Sequence, residues 1–119
     1  MKKTLIIGAS IKPERYAYKA AQKLLEHGHE IVMLGRRENE LFGHPIHVKK
    51  NKFEGIDTVT LYLSAKFQIE YYEYILELHP KRVIFNPGTE NPEFQKILTR
   101  NNIEYENACT LVLLSTGSY

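Results

Sequence analysis

A chain of 119 residues, 43% hydrophobic and 25% charged, carries enough apolar side chain for one core and is too short for two. Its 16 basic and 14 acidic residues balance to a formal charge of +2, which excludes a general nucleic-acid surface and makes any anion site a local one. The single cysteine, Cys109, excludes an internal disulfide; charge returns at Lys12, too early for a secretory leader, and no stretch approaches the ~18 apolar residues of a membrane span. These features lead us to expect a cytoplasmic protein with neither membrane nor nucleic-acid partners.

Apolar, partly β-branched runs alternate with segments of helical period, the pattern of strand–helix units around a parallel sheet. The first strand is TLIIG at 4–8. A helix follows at 14–27, where Tyr16, Ala17, Ala20, Ala21, Leu24 and Leu25 recur at helical spacing and Gly28 supplies the stop. EIVML at 30–34 is the second strand. Residues 35–55 lack a helical stripe; with Gly43, Pro45, Lys49, Lys50 and Lys52 they read as an irregular connection holding a short extended piece around Ile46–Val48.

DTVTLYL at 57–63 is the third strand, and 65–79 is a helix with Phe67, Tyr71, Tyr74, Ile75 and Leu78 on one face, stopped by Pro80. Tyr72 and Leu76 fall at the edge of that face, where core packing or a homodimer contact would use them. RVIF at 82–85 is the fourth strand. Asn91 then caps a helix whose first position suits Pro92, and IEYE at 103–106 is the fifth strand. The terminal ACTLVLLSTGSY is apolar enough to pack on the body.

Five strands joined by right-handed crossovers predict a single domain over 1–119. It is an open, doubly wound α/β sheet, mainly parallel, with helices on both faces, the first strand near the centre and the order 3-2-1-4-5. Such sheets bind ligands beyond the carboxyl ends of their strands, beside the switch in strand order. That singles out 8–16, 35–37, 62–67, 86–90 and 107–110.

Gly8-Ala9-Ser10 is a small-residue turn that lets a phosphate approach backbone N–H groups and the positive end of the following helix. Of the dinucleotide pattern G-x-G-x-x-G only Gly8 matches, since Ser10 and Pro13 stand at the other glycine positions. The same turn would also serve close strand–helix packing alone. Where NAD-binding domains place an Asp or Glu after the second strand, this chain has Arg36 and Arg37. Two guanidiniums there suit a ribose phosphate, as in NADP or coenzyme A, through paired hydrogen bonds; a solvated loop is the plainer alternative. Asn86-Pro87-Gly88 is a turn sequence whose backbone can lie along a ligand. His27, His29, His44, His47 and His79 show no metal-ligand spacing and fall in no strand-end segment, so no metal site is expected. No catalytic acid–base pair stands out.

The stretches GASIKPERYAY, LGRR, NPGTENPE and NACT, in this order, resemble the small CoA-binding Rossmann-domain proteins, related to the coenzyme-binding domain of the succinyl-CoA synthetase alpha subunit. The resemblance covers nearly the whole chain. It implies a Rossmann-like fold and a site for coenzyme A or an acyl-CoA. In that site Gly8, Ala9 and Ser10 hold phosphate, with Lys12 and Arg15 as counter-charges and Tyr16 packing on the ligand. Arg36 and Arg37 lie near the adenosine and its phosphate; Leu63, Ser64 and Phe67 flank the adenine or the pantetheine arm; Asn86, Pro87, Gly88 and Thr89 line the path of that arm. Cys109, by itself most simply a buried small apolar residue, comes to the ligand side, where it could form a mixed disulfide with the coenzyme. The alpha subunit's second domain, with its phosphorylated histidine, has no counterpart here. The expected function is therefore non-catalytic binding, with an NADP-dependent reductase or an interaction protein on the same fold as alternatives.

Overall fold

All four residues of β1 (Thr4–Ile7) are buried, as a central strand covered on both faces requires. The computed structural model describes residues 1–119 and continues with α1 (Tyr16–Glu26), β2 (Ile31–Leu34), β3 (Asn39–Leu41), β4 (His44–His47) and β5 (Thr58–Leu61). Then come α2 (Ala65–Gln68), a 3-10 turn (Ile69–Tyr71), α3 (Tyr72–Leu78), β6 (Arg82–Phe85), α4 (Pro92–Arg100), β7 (Glu104–Asn107) and α5 (Thr110–Ser115). Seven strands form one sheet in the order β3-β4-β2-β1-β5-β6-β7. Every neighbouring pair is parallel except β3 with β4.

The expected five strands and their order are thus corrected, and one segment is responsible for both. Within 35–55 the extended piece expected around Ile46–Val48 is β4 and 48–55 stay irregular, but β4 is one arm of a hairpin: Phe42 and Gly43, at φ +52° and +80°, make the two-residue turn whose twist suits it. Its second arm, β4, lies parallel to β2, pairing Met33 with Ile46 and Leu34 with His47. The outer edge of β2 is then occupied. β5 docks on the free side of β1, so the five strands expected from the sequence run 2-1-3-4-5, not 3-2-1-4-5, with β1 central as expected.

β1 sends alternate side chains into two cores. Leu5 and Ile7 join Val59, Ile75, Phe85, Phe94 and Leu98 under α3 and α4. Ile6 joins Ala17, Ala21, Leu24, Met33 and Leu114 under α1 and α5. In α1 the buried positions are Ala17, Ala20, Ala21 and Leu24, whereas Tyr16 is 65% exposed and leaves the expected stripe. Gly28, at φ +81°, ends α1: its N–H donates to Leu25 O and that of His29 to Leu24 O, both at 3.0 Å. Asn91 caps α4 as expected, accepting from Phe94 N at 3.1 Å.

The expected continuous helix over 65–79 is broken at Ile69–Tyr71. The break turns the polar Gln68 wholly inward and leaves Phe67 44% exposed, an exchange that a regular apolar stripe would not make. The C-terminal segment is itself helical and places Leu114 against the α1 side of the sheet. No helix is long and apolar enough to cross a membrane.

Gly8 ends β1 at φ +94°, and a Cβ there would lie 2.9 Å from Tyr62 O and 3.1 Å from Leu63 Cδ2. Gly8→Ala is expected to cost about 2–3 kcal/mol in urea unfolding, because backbone strain and a backbone clash add. Gly28→Ala, at φ +81° in open space, should cost about 1 kcal/mol. Equal losses at the two positions would show that the clash at Gly8 contributes nothing.

Candidate functional site

Because β1, β2, β4, β5, β6 and β7 run in one direction, the loops that leave their carboxyl ends collect along one edge. The chain departs from β1 to β2 on one side and later resumes with β5 on the other, so the crevice of a doubly wound sheet opens there. Gly8 and Leu63 meet across it.

The turn after β1 differs in detail from the expectation. The N–H groups of Gly8 and Ala9 both donate to Leu34 O, at 3.0 and 2.9 Å, so they hold β1 to β2 and are not turned to a ligand. Ser10 Oγ accepts from Lys12 N at 3.1 Å and shapes the loop. What faces outward is the start of α1. Its N-cap is Arg15, with no side-chain cap and no acidic residue in the first turn, and Lys12 and Arg15 are exposed beside it. An uncapped helix start flanked by cations favours an anion. Tyr16 stands exposed at this end, with Lys19 Nζ 5.2 Å from its ring centre.

Past β2, Gly35 is buried, and a Cβ there would lie 2.8 Å from Ile46 Cγ2 and 3.0 Å from Ala9 O, so the position needs glycine. Arg36 and Arg37 follow, exposed and without a carboxylate partner. Arg36 reaches Phe67 of α2, its guanidinium carbon 5.8 Å from the ring centre, and Lys66 Nζ lies 4.9 Å from the same ring. Arg36 also lines a cleft of about 500 Å³ with Gly35, Val48, Lys50, Glu70 and Tyr71. Burial pushes the Tyr71 phenol above its ordinary value; Glu70 adds to this and Arg36 opposes it. Val48, Lys50, Glu70 and Tyr71 escape a reading by strand ends, since they come from the exit of the hairpin and from the break after α2. The one signal was the basic cluster around Lys50.

The turn after β6 is mostly inside the protein. Asn86 is 3% exposed and its amide is fully used: Nδ2 donates to Thr60 Oγ1 at 2.7 Å and Leu61 O at 2.9 Å, and Oδ1 accepts from Thr110 N at 2.9 Å. Thr89 is buried too, its hydroxyl donating to Asn86 O. Of the expected lining from this turn, only Pro87 and Gly88 are exposed. Gln68 bridges the loops after β5 and β6, donating to Leu63 O at 2.8 Å and Thr89 O at 2.7 Å while accepting from Asn91. Tyr72 stacks on Phe94 at 4.2 Å, accepts from Asn91 and donates to Glu93, so its ring packs within the chain.

Leu63 is half-buried and Ser64 exposed at the start of α2. Cys109 is half-buried at the start of α5, next to the Thr110 that Asn86 caps. Near it, burial pushes the Tyr62 phenol up to about 12. His47 does end a strand, contrary to expectation, and its ring lies 5.6 Å from that of Phe53. Arg36 with Phe67, and Gly8 with Leu63, are therefore brought together, while Asn86 and Thr89 are withdrawn into the frame.

A mostly parallel, doubly wound sheet with an uncapped helix start and free guanidiniums at its carboxyl edge defines a Rossmann-like α/β protein. The chain belongs to the CoA binding domain family, whose model matches residues 2–115. A search of curated proteins finds no match. Among solved structures, the chain is similar to an uncharacterized protein at 53% identity and TM-score 0.98, over 100% of this chain and 98% of that one. It is also similar to a hypothetical protein from Pyrococcus horikoshii OT3, at 28% identity and TM-score 0.85, over 97% of this chain and 82% of that one. A Thermus thermophilus protein, cell-free ID.343, shares the fold at 23% identity and TM-score 0.88, over 99% and 90% of the two chains.

Asn86→Ala is expected to lower stability by about 3 kcal/mol, since it strands the buried Thr110 N–H and removes the bonds to Thr60 and Leu61. Pro87→Ala should change it by less than about 0.5 kcal/mol. Chemical unfolding of both variants reads this directly, and a mild Asn86 variant would contradict the structural role.

Proposed function

We propose that the protein binds coenzyme A or an acyl-CoA in the crevice at the carboxyl edge and does so without catalysing a reaction. The observation that carries this reading is Arg36, which lines a cleft beside the Phe67 ring with no carboxylate to neutralise it. Membership of the CoA binding domain family supports the choice of ligand.

In this reading the pyrophosphate meets the uncapped start of α1, with Ser10, Lys12 and Arg15 around it. Arg36 and Arg37 take the ribose phosphate through paired hydrogen bonds. The adenine lies by Phe67, Ser64 and Leu63, where an aromatic face and a cation both suit a flat base. The pantetheine arm passes Tyr16, Pro87 and Gly88 towards Cys109. Near that end burial pushes the Tyr62 phenol up to about 12. The polar frame behind the arm keeps its loops in place before the ligand arrives, which lowers the ordering cost of binding.

Thermal unfolding with coenzyme A, acetyl-CoA, NADP and NAD at equal concentration tests the choice of ligand. A ligand at 100 times its dissociation constant adds about 2.7 kcal/mol to stability, and coenzyme A or acetyl-CoA is expected to give the largest rise. Stabilisation by NADP without coenzyme A would overturn the reading. In the same assay Arg36→Ala should weaken coenzyme A more than dephospho-CoA; equal losses would take the ribose phosphate away from Arg36.

A further inference from the structure

Lys50 lies outside every strand-end segment that the sequence singles out, yet the hairpin delivers it to the cleft that Arg36 lines. There its ammonium is 3.5 Å from Glu70 Oε2 and 4.8 Å from the Tyr71 ring centre. The Lys50 and Glu70 side chains are 36% and 64% exposed, so the ion pair is a single contact in high dielectric and is weakly held. The cleft thus contains two cations, of which a carboxylate engages only one.

A monoester phosphate carries about −1.5 to −2 charges and three acceptor oxygens, so it can take the Arg36 fork and the Lys50 ammonium together. A hydroxyl in its place offers Lys50 less than Glu70 already does. The Tyr71 face holds the ammonium over the cleft whichever anion it serves.

We propose that Lys50 is a second cation for the coenzyme's ribose phosphate and that Glu70 competes with the ligand for it, so that the Lys50–Glu70 pair opens for a phosphorylated ribose and stays closed for an unphosphorylated one. The inference rests on the coenzyme A reading and adds to it the residues that discriminate between phosphorylated and dephosphorylated forms. Both residues are exposed, so their variants are expected to fold.

Titration calorimetry with coenzyme A and dephospho-CoA, on the wild type, Lys50→Gln and Glu70→Gln, provides the test. The wild type should prefer coenzyme A. Lys50→Gln should weaken coenzyme A about tenfold, the cost of one charge-assisted bond, while leaving dephospho-CoA within about twofold. Glu70→Gln should tighten coenzyme A and leave dephospho-CoA unchanged. If Lys50→Gln weakens both ligands alike or neither, or if Glu70→Gln weakens coenzyme A, the inference is wrong. Equal wild-type binding of the two ligands would overturn the phosphate seat and leave the coenzyme A reading standing, whereas binding of neither would overturn both.

Discussion

Two residue pairs, Met33 with Ile46 and Leu34 with His47, tie the hairpin to β2, and the N–H of Gly35 extends the ladder to His47 O at 2.8 Å. The approach is close enough that Gly35 has no room for a Cβ against Ile46. This pairing closes the outer side of β2 and so leaves β5 to find β1. It also sets the exit of β4 beside the exit of β2, which is why Arg36, Val48 and Lys50 line one cleft. Strand order and the cationic side of the site share that physical cause.

The other side of the carboxyl edge is organised by buried amides. Asn86 fastens β6 to β5 and caps α5; Gln68 fastens the loop after β5 to the loop after β6; Asn91 caps α4 and holds both Gln68 and Tyr72. No buried side-chain nitrogen or oxygen lacks a partner. A saturated network in low dielectric is rigid, because losing one bond leaves a costly orphan. The edge therefore combines a half held by a saturated polar network with a half made of exposed cations. That division suits a ligand with phosphates at one end and a long neutral arm at the other.

Much of this was legible from residue pattern alone. The runs at 4–7, 31–34, 58–61 and 82–85 are rich in apolar and β-branched residues because both faces are covered, and Asn91-Pro92 announces a helix start through local backbone chemistry. Arg36 and Arg37 stand out because an acidic residue is expected at that point in NAD sites. Less visible was the destination of polar side chains. Asn86 looked like a residue for a ligand, but its amide meets Thr60, Leu61 and Thr110, partners that lie about 25 positions away in sequence. Gly8 and Ala9 looked like phosphate donors, but the Leu34 carbonyl takes both N–H groups.

Periodicity, caps and composition determined the elements, the α/β class and the family resemblance, because each depends on neighbours within a few residues. Tertiary structure alone decided the strand order, the break after Gln68 and the meeting of Arg36 with Lys50. The physical reason is competition for sheet edges: a strand docks where an unpaired ladder remains. Whether the edge of β2 was still free depended on a hairpin whose turn, Phe42-Gly43, and short arms carry little apolar pattern of their own.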